Sequence, residues 1–293
     1  MPIWSYAALI ATTLAGATVN GALGYGFSSV TVPLALLFMT NRALNPAIVL
    51  IEVVLNAGVL YVNRDSVPLV WRRVLPIVIG LLPGVVVGTA VISYVNPSVL
   101  KLCTFAVLLP LILVQAAGFR RPIQSERSAG LAFGGGLGIL YSVTTISGPP
   151  LAVALSNQGI AKREFRAALA IVRLAESSLT AVAYLSAGLI TRPSFGLVGW
   201  ILPSIVIGIP LGARIIHHVR TETFRRVCMS FDAWVVALGL STLVRELSLV
   251  DGAGAYVILV GVVIIDTVLL YRFFSNPTHA PEPHRPVDAV AAS

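Results

Sequence analysis

The stretch "LYSVTTISGPPLAVAL" (140–155) has apolar ends and a polar centre, and it decides the class of fold. It lies within a run, residues 128–161, that contains no Asp, Glu, Lys or Arg. Such a run is long enough to cross the hydrocarbon core of a bilayer, which is about 30 Å thick. Gly148, Pro149 and Pro150 cannot continue a regular helix. The stretch therefore predicts a membrane-embedded segment whose helix is broken in its middle.

The composition excludes a soluble protein. The chain of 293 residues is 57% hydrophobic and 11% charged, with a mean hydropathy of +0.90. Soluble domains carry about 25% charged residues. Other long runs without charged residues are 1–41, 74–100, 102–119 and 193–213. We therefore predict an all-α polytopic membrane protein, because helices satisfy their own backbone hydrogen bonds in lipid.

A single transmembrane domain is predicted over residues 1–275, followed by a disordered polar tail over 276–293 that is rich in Pro. Two segments, 2–40 and 128–159, would form helices of about 58 and about 48 Å, which is too long for one crossing. Each of them is therefore expected to be broken. The expected single spans are 43–62, 74–95, 99–118, 166–187, 198–214, 226–244 and 255–273.

The domain contains two similar halves, residues 1–121 and 128–275. Four stretches of the first half return in the same order in the second: "GALGYGFSSVTVP" (21–33) as "GILYSVTTISGPP" (138–150), "IEVVLNAGVLY" (51–61) as "AESSLTAVAY" (175–184), "LPIVIGLLPG" (75–84) as "LPSIVIGIPLG" (202–212), and "VLKLC" (99–103) as "FRRVC" (224–228). The first match pairs Pro33 with Pro150. The order of the matches predicts an internal repeat in which each half opens with a broken segment.

The basic residues of the loops indicate how the two halves are oriented. The loops at 64–73, 120–127, 162–166 and 214–226 are rich in Arg and Lys, whereas the loops near 42, 101, 192 and 245 carry one basic residue each. Basic loops face the cytoplasm. All four rich loops do so only if segment 128–159 enters the membrane and returns to the same side. Matched loops then have opposite charge bias, which predicts inverted-topology repeats whose broken hairpins meet near the midplane. The alternative is a parallel pair of repeats built from plain helices.

The two breaks have the chemistry of an anion site. Helix N-termini carry a partial positive charge and unpaired N–H groups, hydroxyls add donors, and glycines let a ligand approach the backbone. Pro33 and Pro150 are expected in the first turn of the following helix. The alternative is that these small residues only allow close helix packing. The candidate substrate-binding residues are Gly24, Gly26, Ser28, Ser29 and Pro33 in the first half, and Thr144, Thr145, Ser147, Gly148, Pro149 and Pro150 in the second.

Few ionisable residues are expected at membrane depth, where a charge is by default a functional hypothesis. Arg173 is a candidate for binding the substrate anion, and Glu52 or Glu176 for carrying a coupled proton. The alternative is an ion pair between Arg173 and Glu176, three residues apart on one helix. Asp232 and Asp266 are expected nearer the helix ends, in structural pairs.

Several classes of function are excluded. The chain has no metal-ligand spacing, nucleophile elbow or P-loop, and Cys103 and Cys228 show no metal pattern. The net charge of +8 comes from residues of loops that set topology and meet anionic lipid, and no basic face for nucleic acid is present. We predict no enzyme activity, cofactor, metal or nucleic-acid partner. The expected partners are a small anion and the lipid bilayer, and a homo-oligomer is left open.

At these motifs the chain resembles the sulfite exporter TauE/SafE family, also called the toluene-sulfonate uptake permease family. The resemblance rests on "NGALGYGFSSVTVP" (20–33), on "GGGLGILYSVTTISGPPLAVAL" (134–155) and on the helix with two Pro residues that follows in each half. It implies a bacterial inner-membrane transporter of sulfur-containing anions such as sulfite, sulfonates or sulfoacetate, in some members driven by protons.

The leading hypothesis is a secondary transporter that moves a small sulfur-containing anion by alternating access around the two breaks. A second hypothesis is an intramembrane phosphatase or transferase acting on a lipid phosphate, but no basic residue lies within 128–161 to support it. A third is an anion channel, which has the same site chemistry. The sequence does not decide which anion is moved, in which direction, or with which coupling ion.

Overall fold

The computed structural model describes residues 3–116, 126–156, 162–216, 218–219, 221–250 and 252–275. Within these ranges the chain is helical and contains no strand. The predicted tail, and the end of the first half after residue 116, lie outside the described residues. The helices are α1 (Ile3–Leu23), α2 (Phe27–Ala35), α3 (Asn41–Val62), α4 (Val67–Tyr94), α5 (Pro97–Ala116), α6 (Glu126–Thr144), α7 (Gly148–Ser156), α8 (Lys162–Ser186), α9 (Arg192–Ile215), α10 (Thr221–Glu246) and α11 (Val257–Ser275), with short 3-10 turns at Arg64–Ser66 and Gly252–Tyr256.

Eight of the described helices are long and apolar enough to cross a membrane. The fold is therefore that of an all-α polytopic membrane protein, as the composition predicts. Several helices begin earlier than the expected spans, for example α4 at Val67 and α10 at Thr221. The reason is that a charge-free run marks only the hydrocarbon core, whereas the helix continues into the interface. Both predicted breaks are present, because α2 and α7 are helices of only 9 residues that follow α1 and α6.

The contacts between helices keep their pattern when the two halves are exchanged. Helix α1 of the first half packs on α9 of the second, and α6 of the second packs on α4 of the first. Helix α2 likewise contacts α10, and its equivalent α7 contacts α5. In the same way, α3 contacts its equivalent α8, and α5 contacts its equivalent α10. Each opening helix therefore packs on the opposite half. Helix α11, which packs on α10, has no counterpart in the first half.

Glycines let the opening helices approach their partners closely. A Cβ atom on Gly80 of α4 would overlap the backbone of α6, and one on Gly134 of α6 would overlap the backbone of α4. Gly21 of α1 and Gly212 of α9 meet each other's helices in the same way. Because lipid gives no hydrophobic drive for association, such backbone-to-backbone packing is the main source of helix affinity. The α1–α9 and α4–α6 pairs are therefore tightly joined.

The buried apolar residues form three clusters, of which the third, containing Val49 and Tyr141, joins residues of α3, α4, α5, α6 and α8. The first, which contains Phe27, Ile48 and Ile201, joins residues of α1, α2, α3, α5, α9 and α10. The second, which contains Leu81 and Val172, joins residues of α4, α6, α7 and α8. Helix α3 supplies Glu52 beside the first cluster, and α8 supplies Arg173 and Glu176 beside the second. The ionisable residues predicted at depth therefore lie where the first two clusters meet.

Candidate functional site

The helix before each break ends in the same backbone conformation. Gly24 follows α1 with φ 81°, and its N–H donates to the Asn20 carbonyl at 2.7 Å. Thr145 follows α6 with φ 56°, and its N–H donates to the Tyr141 carbonyl at 2.6 Å. Both residues are therefore in the left-handed region, where the helix ends. For a residue with a branched side chain such as Thr145 this conformation is unusual.

This geometry corrects the sequence alignment of the breaks. The ends of α1 and α6, the starts of α2 and α7, and the ends of α2 and α7 are each separated by 121 residues. The sequence match that pairs Pro33 with Pro150 is therefore displaced by four residues, about one helical turn. The match followed residue identity, whereas the helix ends follow the backbone conformation at Gly24 and Thr145.

The predicted position of Pro33 is also wrong. Helix α2 begins at Phe27, directly after Gly26, whose φ of 104° ends the preceding turn, so Pro33 lies near the end of α2 and not in its first turn. Pro150 does lie in the first turn of α7, next to Pro149. Proline has no N–H. The first turn of α7 therefore has two fewer N–H donors than the first turn of α2.

The structure brings the two breaks into contact. A Cβ atom on Gly148 would lie 3.5 Å from the ring of Tyr25, which belongs to the first break. The same atom would lie 3.1 Å from Nη1 of Arg173. The lack of a side chain at Gly148 is therefore what allows the guanidinium group and both breaks to meet at one point.

Arg173 binds a carboxylate of the opposite half. Its Nη2 lies 2.6 Å from Oε1 of Glu52, and the Tyr141 hydroxyl donates to Oε2 of Glu52 at 2.7 Å. Arg173 is 3% exposed and Glu52 is 0% exposed. The ion pair between Arg173 and Glu176, which the sequence left as the alternative, is not formed, and Arg173 pairs with Glu52 of the other half. The Asn56 amide, which donates to the Arg173 carbonyl at 3.3 Å, joins α3 to α8 at this level.

Glu176 lies in the same cluster but forms no ion pair within 4.0 Å in the described part of the chain. It is 0% exposed, and its Oε2 accepts a hydrogen bond from the Ser147 hydroxyl at 2.5 Å. Its Oε1 has no hydrogen-bond partner within the described ranges. The second break is therefore joined to the charged cluster through Ser147.

The hydroxyls of the two breaks have different environments. Ser28 and Ser29, in the first turn of α2, are buried, and neither Oγ has a partner among the described residues. Gly26 gives that turn no side-chain cap. Thr144 instead donates to the Leu140 carbonyl at 2.7 Å, and Thr145 donates to the Thr144 carbonyl at 2.7 Å. Only the first break therefore keeps hydroxyl donors without a protein acceptor.

Several polar residues of the site were not identified from the sequence. Asn41 and Asn45 donate to the Val143 carbonyl at 3.3 and 2.7 Å, and Tyr184 donates to the Ser142 carbonyl. These carbonyls belong to the last turn of α6, which has no further helical partners. Isolated Asn residues within an apolar run were the available signal, since a buried amide in lipid needs a partner.

A second buried ion pair lies outside the site. Arg226 of α10 lies 2.8 Å from Asp266 of α11. Asp266 is in the middle of α11, not near its end as expected, and the pair attaches α11 to the bundle. In the part of the chain that the structure describes, no group of His, Cys, Asp and Glu could hold a metal ion.

Comparisons with known proteins identify the family of the chain. The sequence profile described as sulfite exporter TauE/SafE matches residues 8–241, a range that includes both breaks and the charged cluster. A curated relative from Cupriavidus necator, named probable sulfite/organosulfonate exporter TauE, is 28% identical over 188 residues, which is 61% of this chain and 70% of the relative. No solved structure matches at a comparable significance. The family is one of membrane transporters and not of enzymes. The matched range covers most of the chain, and the protein belongs to the sulfite exporter TauE/SafE family.

Proposed function

We propose that the protein exports small sulfur-containing anions, such as sulfite or organosulfonates, across a bacterial inner membrane with a proton as the coupling ion. Membership of the family and the printed name of the C. necator relative support the class of substrate and the direction. The coupling and the binding residues are argued from the geometry below.

The anion binds between the first turn of α2 and Arg173. The unpaired hydroxyls of Ser28 and Ser29, together with the N–H groups of that turn, are donors at the positive end of a helix dipole. The guanidinium group of Arg173 has an Nε atom without a partner in the described part of the chain. Gly148 provides the space beside it. A tetrahedral or pyramidal oxyanion would satisfy these donors, which otherwise stay buried and unpaired at a cost of about 1–3 kcal/mol each.

The charge of the cluster carries the proposal of proton coupling. One guanidinium group, Arg173, faces two carboxyl groups, Glu52 and Glu176, and all three are buried. With both carboxyl groups ionised the cluster has a net charge of −1 and repels an anion. With a proton on Glu176 the cluster is neutral, and Arg173 can share its charge with the substrate. A substrate anion and a proton therefore bind together as in a symporter, and export occurs when the outward gradient of the substrate exceeds the inward gradient of the proton.

Alternating access follows from the exchange of contacts between the halves. Each opening helix packs on the opposite half, and the site lies where the first two apolar clusters meet. If the repeats are inverted, as the loop charges predict, a relative movement of the two clusters opens the site to one side and closes it to the other.

The proposal is tested with purified protein in proteoliposomes, using labelled sulfite and taurine as probes. Wild type is expected to exchange label across the membrane and to accumulate it when a pH gradient is imposed. Glu176→Gln, which is permanently neutral, is expected to keep exchange and to lose accumulation by about tenfold or more, because no proton is carried.

The matched control is Asp266→Asn, which removes a buried carboxylate from the ion pair outside the site. It is expected to keep both exchange and gradient-driven accumulation. Accumulation by Glu176→Gln at the wild-type level would contradict proton coupling at this residue. Flux that dissipates every gradient without accumulation would indicate a channel.

A further inference from the structure

Two polar atoms of α8 are left without a hydrogen-bond partner among the described residues although they lie in the charged cluster. They are Nε of Arg173 and Oε1 of Glu176. The two residues are three apart in one helix, and both are buried. Residues at this spacing lie on one face of a helix and can contact each other. Nε of Arg173 is therefore a donor, and Oε1 of Glu176 is an acceptor on the same helix face, but the two atoms do not form a hydrogen bond with each other.

The two carboxyl groups of the cluster have matching surroundings. Glu52 accepts a hydrogen bond from the Tyr141 hydroxyl at 2.7 Å, and Glu176 accepts one from the Ser147 hydroxyl at 2.5 Å. The two glutamates also occupy equivalent positions in the stretches of sequence that repeat between the halves. They differ in their ion pairing, because the carboxyl group of Glu52 is paired with the guanidinium group of Arg173.

We propose that Arg173 exchanges its carboxylate partner between Glu52 and Glu176 during transport, and that this exchange is the switch between the two states of the protein. In the described state Arg173 binds Glu52. In the other state it binds Glu176, so each carboxyl group is in turn the one without a cation. The inference rests on the proposed proton coupling, and it assigns the proton to whichever carboxyl group lacks Arg173.

The exchange couples the side chain to the movement of helices. Glu52 belongs to α3, beside the first apolar cluster, whereas Arg173 and Glu176 both belong to α8, beside the second. The observed pair is therefore an ionic contact between α3 and α8, and an Arg173–Glu176 pair within α8 alone would remove this contact while the hydrogen bond from Asn56 to the Arg173 carbonyl remains. The charged and titratable groups facing the switch are Glu52 from α3, Tyr141 from α6, and Arg173 and Glu176 from α8.

The two states are similar in energy because they contain the same kinds of contacts. Each has one ion pair that also accepts a hydroxyl hydrogen bond, and one carboxyl group bound to a hydroxyl alone. A small difference in contacts therefore shifts the populations. Hydrogen bonds to an ionised group are about twice as strong as neutral ones. Tyr141 therefore favours the observed state, and Ser147 favours the exchanged one.

The test is a distance measurement between spin labels in proteoliposomes without substrate. The labels are placed at Tyr94, the last residue of α4 in the second cluster, and at Leu249, which follows α10 of the first cluster; these residues are 88% and 60% exposed. Cys103 and Cys228 are first replaced by Ala. Each state of the protein is expected to give its own distance between the labels. Glu52→Gln is expected to increase about fivefold the population with the distance of the exchanged state, because Arg173 moves to Glu176. Glu176→Gln is expected to decrease this population without abolishing it, because the Gln amide oxygen still accepts a weaker hydrogen bond from Arg173, so exchange of label is slowed but kept.

Two milder variants give the same signs with smaller shifts. Tyr141→Phe is expected to shift the populations in the same direction as Glu52→Gln, and Ser147→Ala in the same direction as Glu176→Gln. Tyr141→Phe replaces Glu52→Gln in the test if Glu52→Gln does not fold. Asp266→Asn, in the other ion pair, is expected to leave the distances unchanged.

Shifts of the same sign in the two glutamate variants, or no shift in either, would overturn the exchange. A failure to transport sulfite or taurine while the opposite signs persist would overturn the proposed substrate and leave the switch intact. The two inferences therefore fail separately.

Discussion

The first break, at Leu23–Phe27, and the second, at Thr144–Gly148, begin with the same left-handed residue conformation but differ in the backbone at Gly26 and in chemistry. In the first, Gly24 and Gly26 adopt positive φ, and α2 folds back on α1. In the second, Thr145 takes the left-handed position, and α7 packs on α8 and α5. The first keeps unpaired hydroxyl and N–H donors, whereas the second uses its hydroxyls internally and lacks two N–H groups. In the proposed function, the first break is therefore the part that binds the anion, and the second is the part joined to the carboxyl group of Glu176.

The largest effect is expected where the two breaks meet, at Arg173. Arg173→Met leaves the Glu52 carboxylate buried without a cation, a change that costs about 3–5 kcal/mol of stability. Exchange of labelled sulfite per folded molecule is expected to fall by at least about a hundredfold, since one charged hydrogen-bonded contact accounts for several kcal/mol of binding. Arg226→Met is the matched control, because it breaks the other buried ion pair. It should show a comparable loss of thermal stability with normal exchange, and loss of exchange in both variants would contradict a specific role for Arg173.

A smaller effect is expected from filling the space at the second break. In Gly148→Ala the new methyl group would lie 3.1 Å from Nη1 of Arg173 and would displace it. Sulfite exchange is expected to fall about tenfold, in keeping with the loss caused by a small misplacement of a binding group. Gly58→Ala in α3 is the control, because nothing lies within 4 Å of its Cβ position. Normal exchange in Gly148→Ala would show that the close approach is not needed.

Removal of hydroxyl groups tests whether the two breaks have different roles. The double variant Ser28→Ala, Ser29→Ala removes unpaired donors of the first break, so the KM for sulfite is expected to rise about tenfold while stability is unchanged or higher. Thr144→Val removes a hydroxyl that the second break uses internally. It is expected to lower the free energy of unfolding by about 1 kcal/mol without a change in KM. The opposite result, with KM sensitive to Thr144 and not to the serines, would reverse the assignment of the two breaks.

The smallest effects concern the matched backbone positions. Gly24→Thr places a branched side chain at φ 81°, which is expected to cost about 1–2 kcal/mol. Thr145→Gly relieves the same strain but loses a hydrogen bond and gains chain entropy in the unfolded state, so its net effect is expected to stay within about 1 kcal/mol. Thermal unfolding of the two variants measures both values. If both variants lost much more stability than this, each residue would be required at its own position, and the two backbone positions would not be equivalent.

The sequence was sufficient for the class of fold and for the location of the breaks. Hydropathy, charge-free length and Gly/Pro chemistry are local properties, and they predicted both the membrane helices and the interruptions near Gly24 and Gly148. The four repeated stretches also predicted two halves that open in the same way. The register of the breaks was wrong by one turn because the alignment used Pro33 and Pro150, whereas Gly24 and Thr145 determine where the helices end.

The candidate site was predicted only in part. Arg173, Glu52 and Glu176 were recognised because charge at membrane depth is rare, but their pairing was not. An ion pair within α8 was the local possibility, and the structure has instead a pair between α8 and α3. Tyr141 and Asn56 were missed, since each becomes part of the site only through a contact with a residue far away in the chain.

The sequence by itself determined that this protein spans the membrane, that its helices break twice and that the breaks contain hydroxyls and glycines, because these properties depend on residues close together in the chain. The tertiary structure alone decided which hydroxyls stay unpaired, that Gly148 lies beside Tyr25 and Arg173, and that Glu52 receives the charge of Arg173. The physical reason is that a buried polar group binds whichever partner the packed helices bring within reach, and for Arg173 that partner, Glu52, is 121 residues away in the chain.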